Sequence, residues 1–270
     1  MSNEKETNGT PQAQEYVISK KMDLFFSRLY TVYKFNARFF RESIMPPYEW
    51  KEILRQCYEV GVRSLPLVSI TGFITGIVFT NQSRPSLEDF GATSWLPSLI
   101  SIAVVRALAP LVTALIAAGR VGSAIGAEIS SMRVSEQIDA MEVSATNPYK
   151  YLVASRVLAT TIMVPGLMMY MGFVAYMGSF MNIYQHEQTS FTIFINDAFS
   201  SISFLDLYSS LAKSIVFGYT IGMVGCYKGW YATNGTQGVG MAANSAVVTG
   251  MFLIFVEELF AMLIINAIRG

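Results

Sequence analysis

The sequence of 270 residues has few of the side chains on which enzymes usually depend. It contains one histidine and two cysteines, and it has no phosphate-binding loop, no His-Glu-x-x-His motif and no plausible serine, histidine and acid set. Cys57 and Cys226 form no disulfide framework and are interpreted as buried or lipid-side thiols. His186 lies in a polar connection and is predicted to be a solvated loop residue. We therefore expect no enzyme, no metal site, no cofactor bound by this chain and no ATP hydrolysis by this chain alone.

Charged residues are also scarce, whereas long apolar runs are abundant. Only 14% of the residues are charged, 52% are hydrophobic and the mean hydropathy is +0.41, which is typical of a polytopic membrane protein. An α-helix needs about 20 apolar residues to cross a bilayer, and five runs approach or exceed this length. The runs are Ser64 to Thr80, Leu96 to Ala118, roughly Leu152 to Tyr184, Leu207 to Tyr227 and roughly Met241 to Ile268. The predicted fold is an all-α membrane protein with about five transmembrane helices.

Basic residues are concentrated in alternate connections between these runs. Lysine and arginine are dense before the first run and recur between the second and third, while the other connections hold little beyond Arg84. The positive-inside rule therefore places the N-terminus and the connections 119–151 and 228–244 in the cytoplasm, and the C-terminus outside. The connection 182–206 lacks lysine and arginine, and part of it is expected along the outer membrane surface.

The N-terminal residues differ in composition from the rest of the chain. Residues 1–20 are polar, without the apolar core of a signal peptide, and are predicted to form a disordered tail. Residues 21–47 are amphipathic but too charged to span a membrane, which predicts a helix in the membrane interface. A soluble amphipathic helix is the alternative. One arc carries Phe25, Phe26, Leu29, Val32, Tyr33, Phe39 and Phe40, and the other carries Asp23, Arg28, Lys34, Arg38 and Arg41.

A passage rich in small and polar residues, Ala117 to Val143, separates the second and third runs. Its first half places Gly122 and Gly126 at a spacing typical of close helix packing in membranes. The same spacing recurs elsewhere, and packing within one chain is favoured over dimerisation as its explanation. The other pairs are Gly72 with Gly76, Gly218 with Gly222, and Gly225 with Gly229.

The second half of this passage predicts a short helix that starts near residue 134. Ser135 is the candidate N-cap, acidic residues occupy the first turn, and Asn147-Pro148 is the predicted stop. Ile138 and Met141 share one helical face. A short helix between two membrane spans, with an apolar knob and an acidic rim, is suited to a groove on a partner protein.

The same passage has a distinctive sequence. It has Ala-Gly-Arg-Val-Gly-Ser-Ala-Ile-Gly-Ala-Glu at 118–128 and Met-Arg-Val-Ser-Glu-Gln-Ile-Asp-Ala-Met-Glu-Val at 132–143. These residues closely resemble the signature of the MlaE/YrbE permease family, and the likeness extends from about Ser64 to the C-terminus, including Cys226-Tyr-Lys-Gly and Gly238-Val-Gly. The family usually has Arg-Glu-Leu-Gly-Pro in the second span, whereas this chain has Arg-Ala-Leu-Ala-Pro at 106–110. Ala107 thus stands where the family usually has glutamate, so any role of that glutamate is either absent here or carried out by another residue.

The resemblance implies a transport function. Members of the family are membrane subunits of ABC-type phospholipid transport systems that work with MCE proteins. The resemblance implies a homodimer in the bacterial cytoplasmic (inner) membrane, cytoplasmic ABC ATPase subunits that use ATP, an MCE-domain protein outside, and a STAS-domain protein as an optional partner. Residues 48–270 would form the permease domain. The alternative function is a self-sufficient secondary carrier for a small solute, although the chain lacks the two comparable halves that such carriers usually have.

Under this interpretation, the short cytoplasmic helix between spans 2 and 3 couples the permease to its ATPase. An apolar knob on this helix would be buried in the ATPase. Nucleic acid is not expected among the partners of this protein. The predicted coupling residues are Arg133, Ser135, Glu136, Gln137, Ile138, Asp139, Met141 and Glu142.

The lipid is expected at the dimer centre near the outer leaflet, between the first span and residues of the second and fifth. The first span has a broad face without charge and ends at Asn81-Gln82, where amide groups could meet a headgroup. The resemblance places the substrate cavity in this region, and ordinary helix packing is the alternative. The predicted lipid-binding residues are Ile74, Ile77, Val78, Gln82 and Leu108.

Four ionisable residues stand out within the predicted spans, namely Arg106, Lys213, Glu257 and Glu258. Charge in hydrocarbon costs at least a few kcal/mol and persists only where it is paired or faces a wet cavity. We therefore expect one of the two glutamates to pair with Arg106 or Lys213. A purely structural ion pair and a role in transport are both compatible with this pattern.

Overall fold

The computed structural model describes residues 12–46, 49–187, 189–233 and 235–269, with side chains for 22, 23 and from 25 onward within these ranges. All regular secondary structure in these ranges is helical. The chain divides into two units, one that ends at Met45 and one that begins at Pro46.

The N-terminal unit contains one long helix, α1 (Gln12–Ile44). It begins before the predicted start, so residues 12–20 are helical rather than disordered, and the remainder of the predicted tail, 1–11, lies outside the described residues. The apolar arc is largely open, since Phe25 is 60% and Tyr33 71% exposed. An interfacial helix would present such a face to lipid, and its location at the membrane remains a prediction.

The second unit is a bundle of helices. They are α2 (Trp50–Val60), α3 (Leu65–Asp89), α4 (Leu96–Ala103), α5 (Ala109–Ala117), α6 (Ser123–Val134), α7 (Gln137–Val143), α8 (Ser155–Glu187), α9 (Phe191–Ser200), α10 (Phe204–Trp230) and α11 (Gly235–Arg269). Helices α4, α5 and α6 form one continuous rod, because two π-helical turns, Val104–Leu108 and Ala118–Gly122, join its three parts. A further π-helical turn, Tyr149–Ala154, precedes α8, and 3₁₀ turns precede α3 and α4.

Four helical stretches within the described ranges are long and apolar enough to cross a membrane. They are Trp50–Asp89, Thr93–Val134, Tyr149–Glu187 and Gly235–Arg269. They contain four of the five predicted runs, which confirms a polytopic membrane protein. The remaining run, Leu207 to Tyr227, lies in α10, which is long enough but less apolar than the other four. Its hydropathy is lowered by polar side chains such as Ser210 and Lys213, which are buried against other helices rather than exposed to lipid.

Helix α8 lies at the centre of the bundle, where it contacts α2, α3, α5 and α10. Met171 of this helix is fully buried with Val68 and Leu167, and Val164 is fully buried with Phe217. Helix α11 packs on α10 and α6 but stays peripheral, because only 11% of its most apolar segment is buried. It is therefore the least buried of the four candidate spans.

The glycine pairs lie where helices of this chain approach each other closely. The pair at 72 and 76 faces α8, the pair at 218 and 222 also faces α8, and the pair at 225 and 229 faces α6. A Cβ atom at Gly76 would meet the backbone of Ala175, and one at Gly218 would meet the backbone of Thr160. The prediction that these glycines serve packing within one chain is confirmed.

A matched pair of substitutions on α8 tests this packing. A Cβ atom at Gly178 would collide with the backbone of Phe73 in α3, whereas one at Gly166 has no atom within 4 Å. Gly178→Ala is therefore expected to lower the free energy of unfolding in detergent by about 1–3 kcal/mol. Gly166→Ala should cause no loss, because alanine favours helix by up to about 1 kcal/mol over glycine. Equal thermal midpoints for the two variants would contradict the observed contact.

Candidate functional site

Charged and hydroxyl side chains form a polar ladder along the seam between α10 and α11. The ladder is defined by three contacts, which pair Asp206 with Arg269, Lys213 with Glu258, and Thr220 with Glu257. The three α10 residues recur at every seventh position and so share one helical face. At about 1.5 Å per residue the ladder covers about 21 Å of α10, most of a hydrocarbon core of about 30 Å.

Asp206 anchors one end of the ladder and is 1% exposed. Arg106 of the rod donates from Nη2 to Asp206 Oδ2 at 3.0 Å, and its Nε lies 2.8 Å from Oδ1. Arg269 contacts the same Oδ1. The carboxylate also accepts hydrogen bonds from the backbone N–H and hydroxyl of Ser203, which completes a capping box at the start of α10. One buried acid thus connects the rod, the start of α10 and the end of α11.

Lys213 forms the middle rung and is 7% exposed. Its Nζ donates to Glu258 Oε1 at 2.8 Å and to the carbonyl oxygen of Arg106 at 2.6 Å. The expected pairing of a glutamate with Lys213 is therefore present, while Arg106 pairs with Asp206. Glu257 accepts a hydrogen bond from Thr220 at 2.5 Å. The Oε2 atoms of Glu257 and Glu258 are buried and accept no hydrogen bond from any residue that the structure describes.

An apolar groove of about 430 Å³ opens beside the ladder. Lys213 and Glu257 lie in its lining and supply its charged groups. Most of its wall is apolar and includes Val216, Phe217, Phe260, Ile264, Ile265 and Ile268. Small-molecule sites have about 300–1,000 Å³ of volume, mostly apolar walls and a few placed polar groups. The groove has this composition and lies between α10 and α11, of which α11 is long and apolar enough to cross a membrane.

Helix α7 connects the rod to α8 and is held in an unusual backbone conformation. Glu136 and Ala145, which flank it, have φ of 58° and 57° and are the non-glycine residues with positive φ in the described ranges. For most residues this conformation costs about 1–2 kcal/mol, and such strain is concentrated at functional sites. Across the first bend, Arg133 Nη1 donates to Asp139 Oδ1 at 2.6 Å.

Two predictions about the start and the apolar face of α7 are wrong. Ser135 is not the N-cap, because its hydroxyl donates to a carbonyl one turn earlier in α6 and Glu136 takes the cap position without a side-chain hydrogen bond. Ile138 is not an exposed knob, because it is fully buried within the chain, and Met141 is only partly exposed. The exposed apolar residue is Val143, at 90%. Burial of Ile138 holds α7 on its own bundle.

Helix α7 also ends before the predicted stop at 147–148. The backbone N–H of Thr146 donates to the carbonyl of Met141 at 3.0 Å, and that of Ala145 donates to Glu142 at 3.1 Å. These bonds form a Schellman motif with Ala145 in the left-handed position that glycine usually occupies.

The predicted lipid-binding residues do not converge on one cavity. Ile74 and Val78 lie on the open face of α3 and are 52% and 44% exposed. Gln82 is exposed and Ile77 is partly exposed on the same helix. Leu108 instead packs against the buried cluster between the rod, α8 and α9, so it faces the protein interior.

Comparisons with known proteins place these features in a family. Residues 53–264 match the family described as Permease MlaE. The chain belongs to the MlaE permease family. The match covers the polar ladder up to Glu258, the groove up to Ile264 and all of α7.

The MlaE-family relatives come from bacteria and from algae. The chain is 38% identical over 216 residues to a probable ABC transporter permease protein of Rickettsia prowazekii, with 80% of this chain and 83% of the relative covered. A probable ABC transporter permease protein of Synechocystis is 35% identical over 242 residues, which cover 88% of this chain and 91% of the relative. A third, from Pyropia yezoensis, is 34% identical over 206 residues, or 76% and 78% of the two chains.

Membership in the MlaE family decides between the two functions considered from the sequence. The chain is an ABC transporter permease subunit, and such subunits lack ATPase activity. ABC permeases typically depend on a partner ATPase for ATP hydrolysis. The alternative of a self-sufficient secondary carrier is therefore wrong.

The sequence did not predict Asp206, the carboxylate of this site that contacts two arginines and a serine. The available signal was Ser203 followed three residues later by an acid just before an apolar run, which is a capping-box pattern. That pattern predicts the start of α10 but not the distant Arg106 and Arg269, because their approach depends on how three helices pack. The sequence also provided no indication of the ion pair between Arg156 and Glu128. Arg156 Nη2 lies 2.8 Å from Glu128 Oε1, and the arginine side chain is 2% exposed.

Proposed function

We propose that this MlaE-family permease transports a phospholipid, with energy from a separate ATPase. The observation that supports the proposal is the groove beside the polar ladder, which combines an apolar wall with Lys213 and Glu257. A phospholipid has the same division into acyl chains and a charged headgroup. Glu257 Oε2, which lacks a donor among the described residues, offers an acceptor for a headgroup that carries N–H or O–H groups.

The proposed assembly is a homodimer. Two ATPase subunits need two docking elements, and closed two-fold symmetry supplies one α7 from each protomer. The open face of α11 provides a large apolar surface for the second copy, since so little of that helix is buried. The proposed lipid path keeps four predicted residues of α3, namely Ile74, Ile77, Val78 and Gln82. It omits Leu108, which packs against an internal cluster, and includes the residues of the groove instead.

The proposed topology has five spans, with α10 as the fourth. Its polar side chains are satisfied by the ladder, so its moderate hydropathy is compatible with crossing the membrane. The N-terminus, α7 and the connection 228–244 face the cytoplasm of a bacterium, and Arg269 lies at the outer surface. An MCE-domain protein would meet the outer face, and a STAS-domain protein is an additional candidate partner.

Helix α7 is the proposed ATPase-coupling element. Its exposed surface has an acidic rim and Val143 at one end, while Ile138 and the partly exposed Met141 anchor it. The two residues with positive φ fix its angle to the bundle. The exposed coupling residues are Arg133, Ser135, Glu136, Gln137, Asp139, Glu142 and Val143.

Photo-crosslinking in proteoliposomes tests the proposed lipid path. A photoreactive residue at Ile264, in the groove, is expected to label phospholipid, with a yield that changes several-fold when the partner ATPase is trapped with ATP. The matched control is Ile162 of α8, which is 60% exposed and lines no part of the groove. Its yield should stay constant, because it reports only bulk lipid. Equal labelling at both positions in every nucleotide state would remove the case for a lipid path.

A further inference from the structure

A second, charged cavity lies at the other end of the bundle from Asp206. It has a volume of about 370 Å³ and lies between α2 and the part of the rod around the π-helical turn Ala118–Gly122. Arg120, which stands in that turn, is 14 positions after Arg106, or about 21 Å along the rod. π-Helical turns are frequent at functional sites. The charged residues of the cavity are Arg55, Arg63, Arg120, Glu59 and Glu128.

Arg120 has a different environment from the other arginines of this unit. Between residues 49 and 269, every other described arginine lies within 4.0 Å of a carboxylate. Arg120 donates instead to two neutral oxygens, Ser64 Oγ at 2.5 Å and the carbonyl of Glu59 at 3.3 Å. A guanidinium group has five N–H donors and a permanent charge. Some N–H donors of Arg120 are therefore unused, and its positive charge is not balanced by a carboxylate of any described residue.

The acids of the cavity are already paired with arginines other than Arg120. Glu59 Oε2 lies 2.7 Å from Arg63, which also lines the cavity, and Glu128 Oε1 lies 2.8 Å from the buried Arg156 outside the lining. Arg55 contacts Glu52, at 3.4 Å, but its side chain is 64% exposed at the opening. The cavity thus has an excess of positive charge centred on Arg120, and an anion would complete it.

The helix face beside the cavity indicates where that anion comes from. Trp50, Leu54 and Tyr58 follow each other at one-turn intervals along α2, and each is more than half exposed. Arg55 lies between this stripe and the cavity on the helix surface. Tryptophan and tyrosine are enriched at the level of lipid headgroups, and basic residues there attract anionic lipids. A lipid phosphate therefore fits these surroundings better than an acidic residue of a protein partner.

We propose that Arg120, with Arg55 and Arg63 at the opening, binds the phosphate of an anionic phospholipid on the side of the membrane where α7 lies. Arginine suits this role because its planar group can form paired hydrogen bonds to phosphate oxygens. The site is separate from the groove between α10 and α11. Its assignment to the cytoplasmic leaflet rests on the topology proposed above, whereas the binding itself does not.

The test is a binding titration of the full chain, purified in detergent and freed of lipid, with dioctanoyl-phosphatidylglycerol. Arg120→Gln is expected to weaken binding about tenfold to a hundredfold, as for the loss of hydrogen bonds to a charged group. Arg120→Lys should keep part of the affinity, since it keeps the charge. The matched control Lys228→Gln removes a basic residue that does not line the cavity and should change the affinity less than twofold. Arg55→Gln should weaken binding about threefold. Because Arg55 is exposed, this variant is expected to fold, so it still tests the proposal if Arg120→Gln does not fold.

Four results would overturn the proposal. Unchanged affinity in both Arg120→Gln and Arg55→Gln would exclude these arginines from lipid binding. Binding of dioctanoylglycerol as tight as that of the phospholipid would show that the phosphate is not recognised, and binding of inorganic phosphate at equal strength would identify a site for a free anion. Loss of ATPase binding by Arg120→Gln with unchanged lipid affinity would assign the site to a protein partner. Because the titration needs no ATPase and no transport, its failure is distinguishable from failure of the proposed function.

Discussion

Replacement of Asp206 by asparagine is expected to lower the free energy of unfolding by about 3 kcal/mol or more. The carboxylate is 1% exposed and contacts two arginines, Arg106 and Arg269, as well as the Ser203 cap. The neutral amide keeps the size of the side chain but leaves two cationic groups without a counter-charge. Both arginines are about one-third exposed, so partial hydration keeps the loss toward the lower end of the range of about 3–5 kcal/mol.

Asp139→Asn is the matched control for this measurement. Its pair with Arg133 is short, at 2.6 Å, but both side chains are at least 40% exposed. Exposed pairs contribute about 0–1 kcal/mol, so this variant should unfold close to the parent protein. A second variant, Asp206→Asn with Arg106→Gln, should recover part of the loss, because it removes one of the unpaired charges. If Asp206→Asn costs no more than Asp139→Asn, the carboxylate does not connect the three helices.

Two substitutions in α7 are expected to abolish stimulation of the partner ATPase by different routes. Ile138→Asp places a charge where the side chain is fully buried, so α7 should leave its position on the bundle. Val143→Asp places the charge on the exposed tip and should leave α7 in place while blocking an apolar contact. Both variants should lower the affinity for the ATPase subunit by about tenfold or more, since 1.4 kcal/mol corresponds to a factor of ten.

Limited proteolysis separates the two routes. Cleavage between residues 131 and 146 should increase in Ile138→Asp and stay at the parent level in Val143→Asp. Thr146→Asp adds the same charge at an exposed position outside the proposed coupling residues and serves as the control. Normal ATPase stimulation with Val143→Asp would show that the ATPase docks on another surface of the permease.

The carboxylate that meets Arg106 comes from an unexpected position in the chain. The family usually has an acid next to this arginine, whereas this chain has Ala107, which is exposed. Here the acid is Asp206, a hundred positions later at the start of α10. The charge of the second span is thus balanced from a neighbouring helix, and this connection ties the rod to the polar ladder at Asp206.

The sequence by itself determined the features that depend on local composition and short spacing. Apolar runs of sufficient length predicted the membrane helices, because burial of backbone groups in lipid requires helices of about 20 residues. Glycine spacing predicted close contacts such as that of Gly76 with Ala175, because only a missing side chain permits such an approach. The signature passage predicted both the position of α7 and the family.

The tertiary structure alone decided which apolar and charged side chains face the protein and which face the surroundings. In a membrane, lipid and protein interior are almost equally apolar, so periodicity cannot separate Leu108, which is partly buried against an internal cluster, from the open Ile74. Ile138 was wrongly assigned as an exposed knob for a different reason, because an apolar position on a short helix outside the membrane can pack either on a partner protein or on its own bundle, and periodicity is the same in both cases. Asp206 and Arg120 each contact residues that lie far away in the chain. Only the packing of the helices brings Arg106 to Asp206, and only this packing leaves Arg120 without an acidic partner.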